Sequence, residues 1–353
     1  MKQACFGYGG LFFACVVLAG CSSGGVLSLG QGGNATAPSA AMRTLSLTMA
    51  HYVAPVVRTD FAKSWMLSQK KDAKAALIYA GDEETNDVYV YDYSSGKPVG
   101  TLTGFDEPYG MCVDAKADVY ITNYGAGNAV EYAHGGSKVI NTFDSGGTPI
   151  GCAVDSKGDV AVTSFDPGEA TVFAAGDPSK ATTYTSSCTY LWSMGYDDKG
   201  NLVGVGETSS GGRCYAGLAS GSKSMEALSF NGTIDFPGGS MWDGKYIALG
   251  DQEADGDDTG LFEASLSGST LTSHGEAILT CASGFSDVAN PFVVGKKNTP
   301  VNDRQGKVVL ANCSGSAHGG GGLGFWHYPE GGDPFKIYGG LGDTYGVAVS
   351  LGT

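Results

Sequence analysis

Short apolar runs alternate with polar turns along most of the chain, and the pattern repeats. The chain contains Y-G-M-C-V-D-A-K-A-D-V-Y-I-T-N from Tyr109, I-G-C-A-V-D-S-K-G-D-V-A-V-T-S from Ile150, and a looser copy from Met194. In each copy, two apolar runs around a D-x-K-x-D/N turn predict two tightly joined antiparallel strands. A period of about 40 residues with four strands per unit is typical of a β-propeller.

The repeats allow the chain to be divided into blades. Within each blade we letter the strands a to d from the axis outward. Five blades are predicted to begin near Tyr109, Pro149, Tyr190, Ile234 and Phe285. Strands b, c and d of an N-terminal blade are expected at 76–80, 87–93 and 98–104, without a strand a, and 345–350 repeats the first inner strand. We therefore expect residues 75–353 to form an all-β, six-bladed β-propeller of four-stranded blades. Pairing of the C-terminal strand with the N-terminal blade would close it, leaving no open sheet edge.

The N-terminus has the features of an export signal. Lys2 precedes a mostly apolar stretch over 4–17, and Leu18-Ala19-Gly20-Cys21 follows. This L-A-G-C resembles the lipobox of bacterial lipoproteins, which implies a signal peptide over 1–20 and lipidation of Cys21. It also implies a lipid anchor in the bacterial cell envelope, and Ser22 resembles the residue found in lipoproteins sent to the outer membrane. An ordinary signal peptide with a chance cysteine is the alternative.

Residues 21–74 are expected to connect this anchor to the propeller. As far as about residue 41 they are mostly Gly, Ser, Ala and Asn, a composition typical of a flexible tether. Apolar residues then return, and Trp65, Met66 and Leu67 could dock on the outside of the propeller or cap one end of it.

Two copies of the repeat resemble a known family. P-Y-G-M-C-V-D from Pro108 and P-I-G-C-A-V-D from Pro149 are similar to NHL-type repeats, whose pattern is P-x-G-x-x-V-D. The resemblance covers about 75–353 and is strong in these two blades. The wider class includes the gluconolactonase and senescence-marker propellers, in which a Glu, an Asn and an Asp in the channel hold a divalent metal. The first-blade Glu motif of that class is missing here, so no residue of this chain is assigned to that triad.

Six cysteines follow Cys21, an even number in a chain expected to reach an oxidising compartment. Their positions in the repeats suggest three disulfides, in which the partners are Cys188 and Cys214, Cys281 and Cys313, and Cys112 and Cys152. The last pair lies on neighbouring inner strands, offset by one position, so its side chains leave opposite faces of successive blades. Buried thiols are the alternative.

Charge is distributed unevenly. The net charge is −15, which excludes nucleic acid as an expected partner because phosphate binding needs clustered Lys and Arg. In a propeller the d-to-a and b-to-c loops share one face, and the a-to-b and c-to-d turns share the other. Most Lys and Arg after Lys74 fall on the second set, which we call the turn face, while many acids fall on the first, which we call the acidic face.

The acidic face supplies the candidate site. The candidate residues around the channel mouth are Glu107, Tyr109, Tyr190, Trp192, Asp235, Asp287, Asn290, Asp343 and Tyr345. Converging carboxylates of Glu107, Asp235, Asp287 and Asp343 would hold a hard cation such as calcium, and aromatic walls are typical of ligand sites. The alternative is that the loop acids are only solvated and the aromatic rings pack the core.

The sequence assigns no catalytic residues. The five histidines are scattered without zinc-ligand spacing, and the glycine runs lack a phosphate-binding context. We expect an envelope-anchored binding module with a protein or glycan partner. The alternatives are a metal-dependent hydrolase or lyase resembling the lactonase propellers, and a purely structural envelope protein.

Overall fold

The computed structural model describes residues 63–67, 75–255, 258–281, 285–295, 306–314, 321–342 and 344–352. The first strands are β1 (Trp65–Met66), β2 (Leu77–Asp82), β3 (Asp87–Asp92), β4 (Pro98–Leu102), β5 (Pro108–Val113), β6 (Val119–Asn123), β7 (Asn128–Tyr132) and β8 (Val139–Asp144). The next are β9 (Pro149–Val154), β10 (Val160–Ser164), β11 (Glu169–Phe173), β12 (Ala181–Thr185), β13 (Tyr190–Tyr196), β14 (Leu202–Glu207), β15 (Arg213–Leu218) and β16 (Glu226–Phe230). The last are β17 (Pro237–Trp242), β18 (Ile247–Asp255), β19 (Asp258–Ser267), β20 (Thr270–Leu279), β21 (Phe285–Val294), β22 (Lys307–Ser314), β23 (Gly321–Tyr328), β24 (Lys336–Leu341) and β25 (Val347–Ser350). A single 3₁₀ turn, Ala174–Gly176, separates β11 from β12.

The strands form antiparallel meanders, as the repeat predicts. β5 to β8, β9 to β12 and β21 to β24 are each a four-stranded sheet in chain order. β25 pairs with β2, so the first sheet has the order β1-β4-β3-β2-β25. β1 extends the outer edge of that sheet by pairing with β4. The innermost strands β5, β9, β13, β17 and β21 pack beside one another in sequence, which places the sheets as the blades of a propeller in a ring.

Two neighbouring blades share one sheet, which the repeat did not predict. The outer strands β16 and β20 pair in parallel at Ser229 with Thr270 and at Phe230 with Leu271. This link joins β13 to β16 and β17 to β20 into eight strands.

Burial follows position in the blade. Strands β2, β6 and β10 are buried at every residue, whereas the outer strands β8, β12 and β16 are mostly exposed. Strands near the axis are covered on both faces by adjacent blades. The core therefore lies between blades, and the inner strands are near-continuous apolar runs.

The D-x-K-x-D/N motif is explained by hydrogen bonds in the a-to-b turn. Oδ1 of Asp114 accepts hydrogen bonds from the backbone N–H of Lys116 (2.9 Å) and of Asp118 (2.8 Å). The carboxylates of Asp155 and Asp197 make the same two bonds in the next two copies. The aspartate carboxylate thus accepts hydrogen bonds from backbone N–H groups that have no partner strand at the turn.

All three predicted disulfides are confirmed. Cys112 on β5 and Cys152 on β9 join the inner strands of neighbouring blades, with their Cα atoms 5.6 Å apart. The other two bonds each stay within one blade, and they join Cys188 to Cys214 and Cys281 to Cys313.

Candidate functional site

The loops of the acidic face are held by a repeated hydrogen bond. A side chain of strand b, from its last residue in three blades and from the middle of β18 in the fourth, accepts a bond from a backbone N–H in the loop that enters strand a of the same blade. The pairs are Asn123 Oδ1 with Asp106 N (2.6 Å), Ser164 Oγ with Thr148 N (3.0 Å), Asp251 Oδ2 with Asp235 N (2.9 Å) and Asp82 Oδ2 with Gly342 N (2.6 Å). Asp251 also accepts from Phe236 N (3.0 Å). The two carboxylates, each only 1% exposed, therefore fix loops rather than face solvent.

A β-bulge occurs at the same level in each inner strand from β5 to β21. The register shifts fall between Pro108 and Met111 in β5, where the sheet leaves regular pairing, and at the corresponding point of the other inner strands. Bulges redirect side chains and are common next to functional sites.

Three tyrosines form the first aromatic group at this mouth. The ring of Tyr109 stacks on Tyr345, with centroids 4.8 Å apart and planes inclined by 17°. The ring of Tyr124 also contacts Tyr109, with centroids 6.1 Å apart and planes inclined by 35°. All three are half-buried, so part of each ring remains open to a ligand.

A second aromatic group spans the next three blades. Phe165 stacks on Tyr190 at 4.9 Å and meets the edge of Trp192 at 5.2 Å, and Trp192 in turn meets Phe236 at 5.1 Å. The guanidinium of Arg213 lies 6.0 Å from the centre of the Phe236 ring. The buried indole nitrogen of Trp192 has no hydrogen-bond partner among the described residues.

Arg213 is fixed in place by its own contacts. It forms an ion pair with Glu207, and its Nε donates to the carbonyl of Ile234 (3.0 Å). Another guanidinium nitrogen donates to the carbonyl of Asp235. Its planar cation is therefore ordered beside the aromatic group instead of sampling solvent.

Among the predicted carboxylates, the structure describes the side chains of Glu107 and Asp235. Glu107 is half-buried with a left-handed backbone (φ 58°), and its N–H donates to Asn86 Oδ1 at 2.7 Å. The side chain of Asp235 is exposed. The Asp287 side chain, the whole of Asp343 and the predicted lipid anchor Cys21 lie outside the described residues. In the part of the chain that the structure describes, no three His, Cys, Asp or Glu side chains lie together as a metal site would need. The calcium site remains a prediction.

Asn290 lies in the wall of a channel cavity of about 240 Å³. The cavity is bounded by the second halves of the inner strands, such as 111–113, 152–154 and 239–242. These segments lead into the a-to-b turns. The cavity therefore lies toward the turn face, beyond the level of the aromatic groups.

Sequence reasoning missed Tyr124, Phe165, Phe236 and Arg213. Tyr124 and Phe165 occupy the same place in successive repeats, directly after strand b. That shared aromatic position was a usable signal. Phe236 and Arg213 have no counterpart in the clear repeats, so the pattern could not single them out.

Comparison with known proteins supports the fold. No protein-family model matches the sequence, and no curated protein matches it. A chain in the crystal structure of a nidogen/laminin complex is similar, with a TM-score of 0.56, 12% identity, and coverage of 78% of this chain and 98% of that chain. Kuenenia stuttgartiensis hydrazine synthase gives a TM-score of 0.48 at 14% identity, covering 69% and 71% of the two chains. Virginiamycin B lyase from Staphylococcus aureus gives 0.44 at 11%, covering 56% and 66%. Identities this low show the fold alone. By its sheets and its similarity to the chain of the nidogen/laminin complex, this chain is an all-β propeller of four-stranded blades.

Proposed function

We propose that this protein is a lipoprotein of the bacterial cell envelope, anchored through Cys21, whose propeller binds a protein or glycan partner on its acidic face. The anchor rests on the Leu18-Ala19-Gly20-Cys21 sequence. Within the described ranges no helix is long and apolar enough to cross a bilayer. Metabolic labelling with an alkyne fatty acid tests the anchor, because Cys21→Ser should abolish both the label and recovery in the membrane fraction.

The ring that carries this face is proposed to have six blades and to close through β25. Besides its pairing with β2, β25 packs beside both β5 and β21, the inner strands of the blades on either side. Asn290 on β21 also forms an isolated bridge with Gly346, just before β25. These contacts support closure because they occupy the gap that an open ring would leave.

The binding proposal rests on one observation, the pair of half-buried aromatic groups at the channel mouth. Tyr, Trp and Arg are the residues that most often dominate binding energy at interfaces, because they offer large rigid surfaces and a polar tip. Trp192 and Tyr190 with the ordered Arg213 provide that combination, and Tyr109 with Tyr345 provides a second platform. The surrounding acids favour a partner with positive charge or many hydroxyl groups.

The test compares aromatic side chains on the acidic face with one on the turn face. Full-length protein would be immobilised and titrated with isolated envelope polysaccharides and with solubilised envelope proteins. Trp192→Ala and Tyr109→Ala should each weaken binding at least tenfold. Tyr246→Ala is the matched control, since its ring stacks on His274 at 4.5 Å next to an a-to-b turn. Equal effects of Trp192→Ala and Tyr246→Ala would rule out the acidic face as the binding surface.

A further inference from the structure

A cleft of about 250 Å³ lies on the turn face, between the sheet β9 to β12 and the sheet β13 to β16. Its wall mixes apolar and polar groups. Val172 and Leu218 supply apolar surface, and the charged side chains that line it among the described residues are those of Asp155, Lys157 and Asp159. The cleft therefore offers a ligand both apolar contact and hydrogen bonds.

Tyr196, in the wall of this cleft, departs from the repeat. The two clear copies have Val113 and Val154 directly before the turn aspartate, whereas the looser copy has a tyrosine there. Tyr196 is only 8% exposed, and its hydroxyl has no hydrogen-bond partner in the described part of the chain. Burial, and then the charges of Asp155 and Asp159, raise the pKa of Tyr196, so the hydroxyl stays protonated. Buried polar groups are nearly always paired, which makes this hydroxyl a donor available to a ligand.

The two aspartates of the turn present acceptors to the same cleft. Oδ1 of Asp155 accepts the turn hydrogen bonds from the N–H groups of Lys157 (2.8 Å) and Asp159 (2.9 Å). Oδ1 of Asp159 accepts from the N–H of Ala175 (2.7 Å). Oδ2 of Asp155 reaches toward the neighbouring sheet, since a Cβ at Gly200 would lie 3.6 Å from it. Backbone bonds thus fix both carboxylates through one oxygen and leave the other oxygen to a ligand.

The polar groups of the cleft include donors as well as acceptors. Nζ of Lys157 lies 3.4 Å from Ser220 Oγ in the neighbouring sheet, and the Tyr196 hydroxyl is a second donor. An ammonium group only donates and a carboxylate or phosphate only accepts, so a charged ligand leaves either the carboxylates or the donors unpaired. A hydroxyl group donates and accepts at once, so a ligand with several hydroxyl groups pairs both kinds.

We propose that this cleft binds one neutral sugar ring through adjacent hydroxyl groups. An engineered cavity of about 150 Å³ holds one benzene ring, so about 250 Å³ accommodates one hexose ring with its hydroxyl groups. The half-buried ring of Tyr184 also lines the cleft, and with Val172 and Leu218 it provides contact for the C–H groups of the sugar. This site lies on the turn face and is independent of the partner proposed for the acidic face.

Six-membered rings of different polarity test the ligand class by saturation-transfer NMR titration of the full-length, oxidised protein. The sugar probes are the methyl glycosides of glucose, galactose and mannose, which differ in the orientation of their hydroxyl groups. We expect at least one to bind with a Kd below about 10 mM. The control rings are 2-methoxytetrahydropyran, piperidinium and cyclohexanecarboxylate, and none should bind. No binding of any glycoside to folded protein, or a control ring that binds as tightly as the best glycoside, would overturn the proposal.

Free monosaccharides and the ends of glycan chains present the same ring to the cleft. A trisaccharide that ends in the best-binding sugar distinguishes these sources. It should bind at least as tightly as the methyl glycoside if the cleft takes chain ends, and it should not bind if the cleft takes free sugars alone.

Three variants locate the site. Tyr196→Phe removes one hydroxyl that has no protein partner, so the protein should stay folded while the best glycoside binds about fivefold more weakly. Asp159→Asn keeps an acceptor for Ala175 and should weaken binding by a similar factor. Asp118→Asn is the matched control, because Asp118 holds the same repeat position in the preceding copy and lies outside the cleft. Circular dichroism checks that each variant is folded. Unchanged binding in folded Tyr196→Phe, or an equal loss in Asp118→Asn, would refute the assignment.

Discussion

The repeated a-to-b turn offers a pair of reciprocal substitutions with unequal expected effects. Ala117 and Gly158 hold the same position in successive copies of the motif, and both have a left-handed backbone, with φ of 69° and 85°. That conformation costs a residue with a Cβ about 1–2 kcal/mol, whereas glycine adopts it freely. Glycine in turn gives the unfolded chain extra entropy worth about 0.4–1 kcal/mol. Gly158→Ala should therefore lower the free energy of unfolding by about 1 kcal/mol.

Packing does not complicate this estimate at Gly158, because a Cβ there would meet nothing within 4 Å. Ala117 differs, since it is only 5% exposed and its methyl group contributes burial worth about 0.8 kcal/mol. In Ala117→Gly the relief of strain should offset the lost burial and entropy, which leaves stability nearly unchanged. Ala161→Gly is the control, because Ala161 is fully buried in regular strand β10. It should lose about 1–2 kcal/mol.

Urea unfolding of the oxidised protein, monitored by tryptophan fluorescence, measures all three variants. The m-value should stay constant, so that changes in midpoint report stability. The expected order is wild type close to Ala117→Gly, then Gly158→Ala, then Ala161→Gly. If Ala117→Gly lost as much stability as Ala161→Gly, the turn would not hold its left-handed residue and the reasoning would fail.

Three further results are expected. Burial, and then the negative charge of Asp251, raise the pKa of Glu276 from 4.5 to about 7. The native state then binds this proton more tightly than the unfolded state, so its contribution is full below pH 4.5 and is lost as the pH rises through 7. The loss should be below about 1 kcal/mol because solvent screens the group, and Glu276→Gln should flatten the pH profile of the unfolding free energy. Replacing both Cys188 and Cys214 by Ala should lower that free energy by about 3 kcal/mol in urea titrations, since the bond closes a separation of 26 residues; no loss would mean that the oxidised protein lacks the bond. Calorimetric titration of calcium, magnesium, manganese and zinc into metal-stripped protein tests the predicted cation site: stoichiometric binding that Glu107→Gln abolishes would favour the hydrolase or lyase alternative, and no binding by any of the four metals would refute the site.

Much of the fold could be predicted from the sequence, because each repeat carries both its own turn motif and the strands that pack against the next blade. The blade predicted to begin near Tyr109 starts with β5 at Pro108, and the Asp114 turn fixes where β5 ends and β6 begins. The pairing of β16 with β20 could not be predicted in the same way. It joins the outer strands of two different blades, so it depends on how far apart the two blades lie and not on the spacing within one repeat.

The candidate site was predicted less completely for a related reason. Tyr109 and Tyr345 share a repeat position, so their proximity followed from the ring itself, and their stacking is observed. Asn290 lies within an irregular stretch of β21. There Asp287 and Phe292 pair with Asn312 and Leu310, so three extra residues leave the register. A bulge of that length shifts every later side chain along the channel, and repeat spacing alone cannot locate it.

The pairing of β25 with β2 also bears on how the chain comes to be folded. β2 is translated early, but its inner edge is filled by a strand translated after all the other blades. Until then β2 presents unpaired backbone groups to any neighbouring strand, which is the usual route to aggregation. Closure across so long a loop is also slow compared with local hairpins. During synthesis from the N-terminus, the chain therefore cannot complete its first sheet until its last strand has been made. Truncation before Val347 should yield an aggregation-prone product.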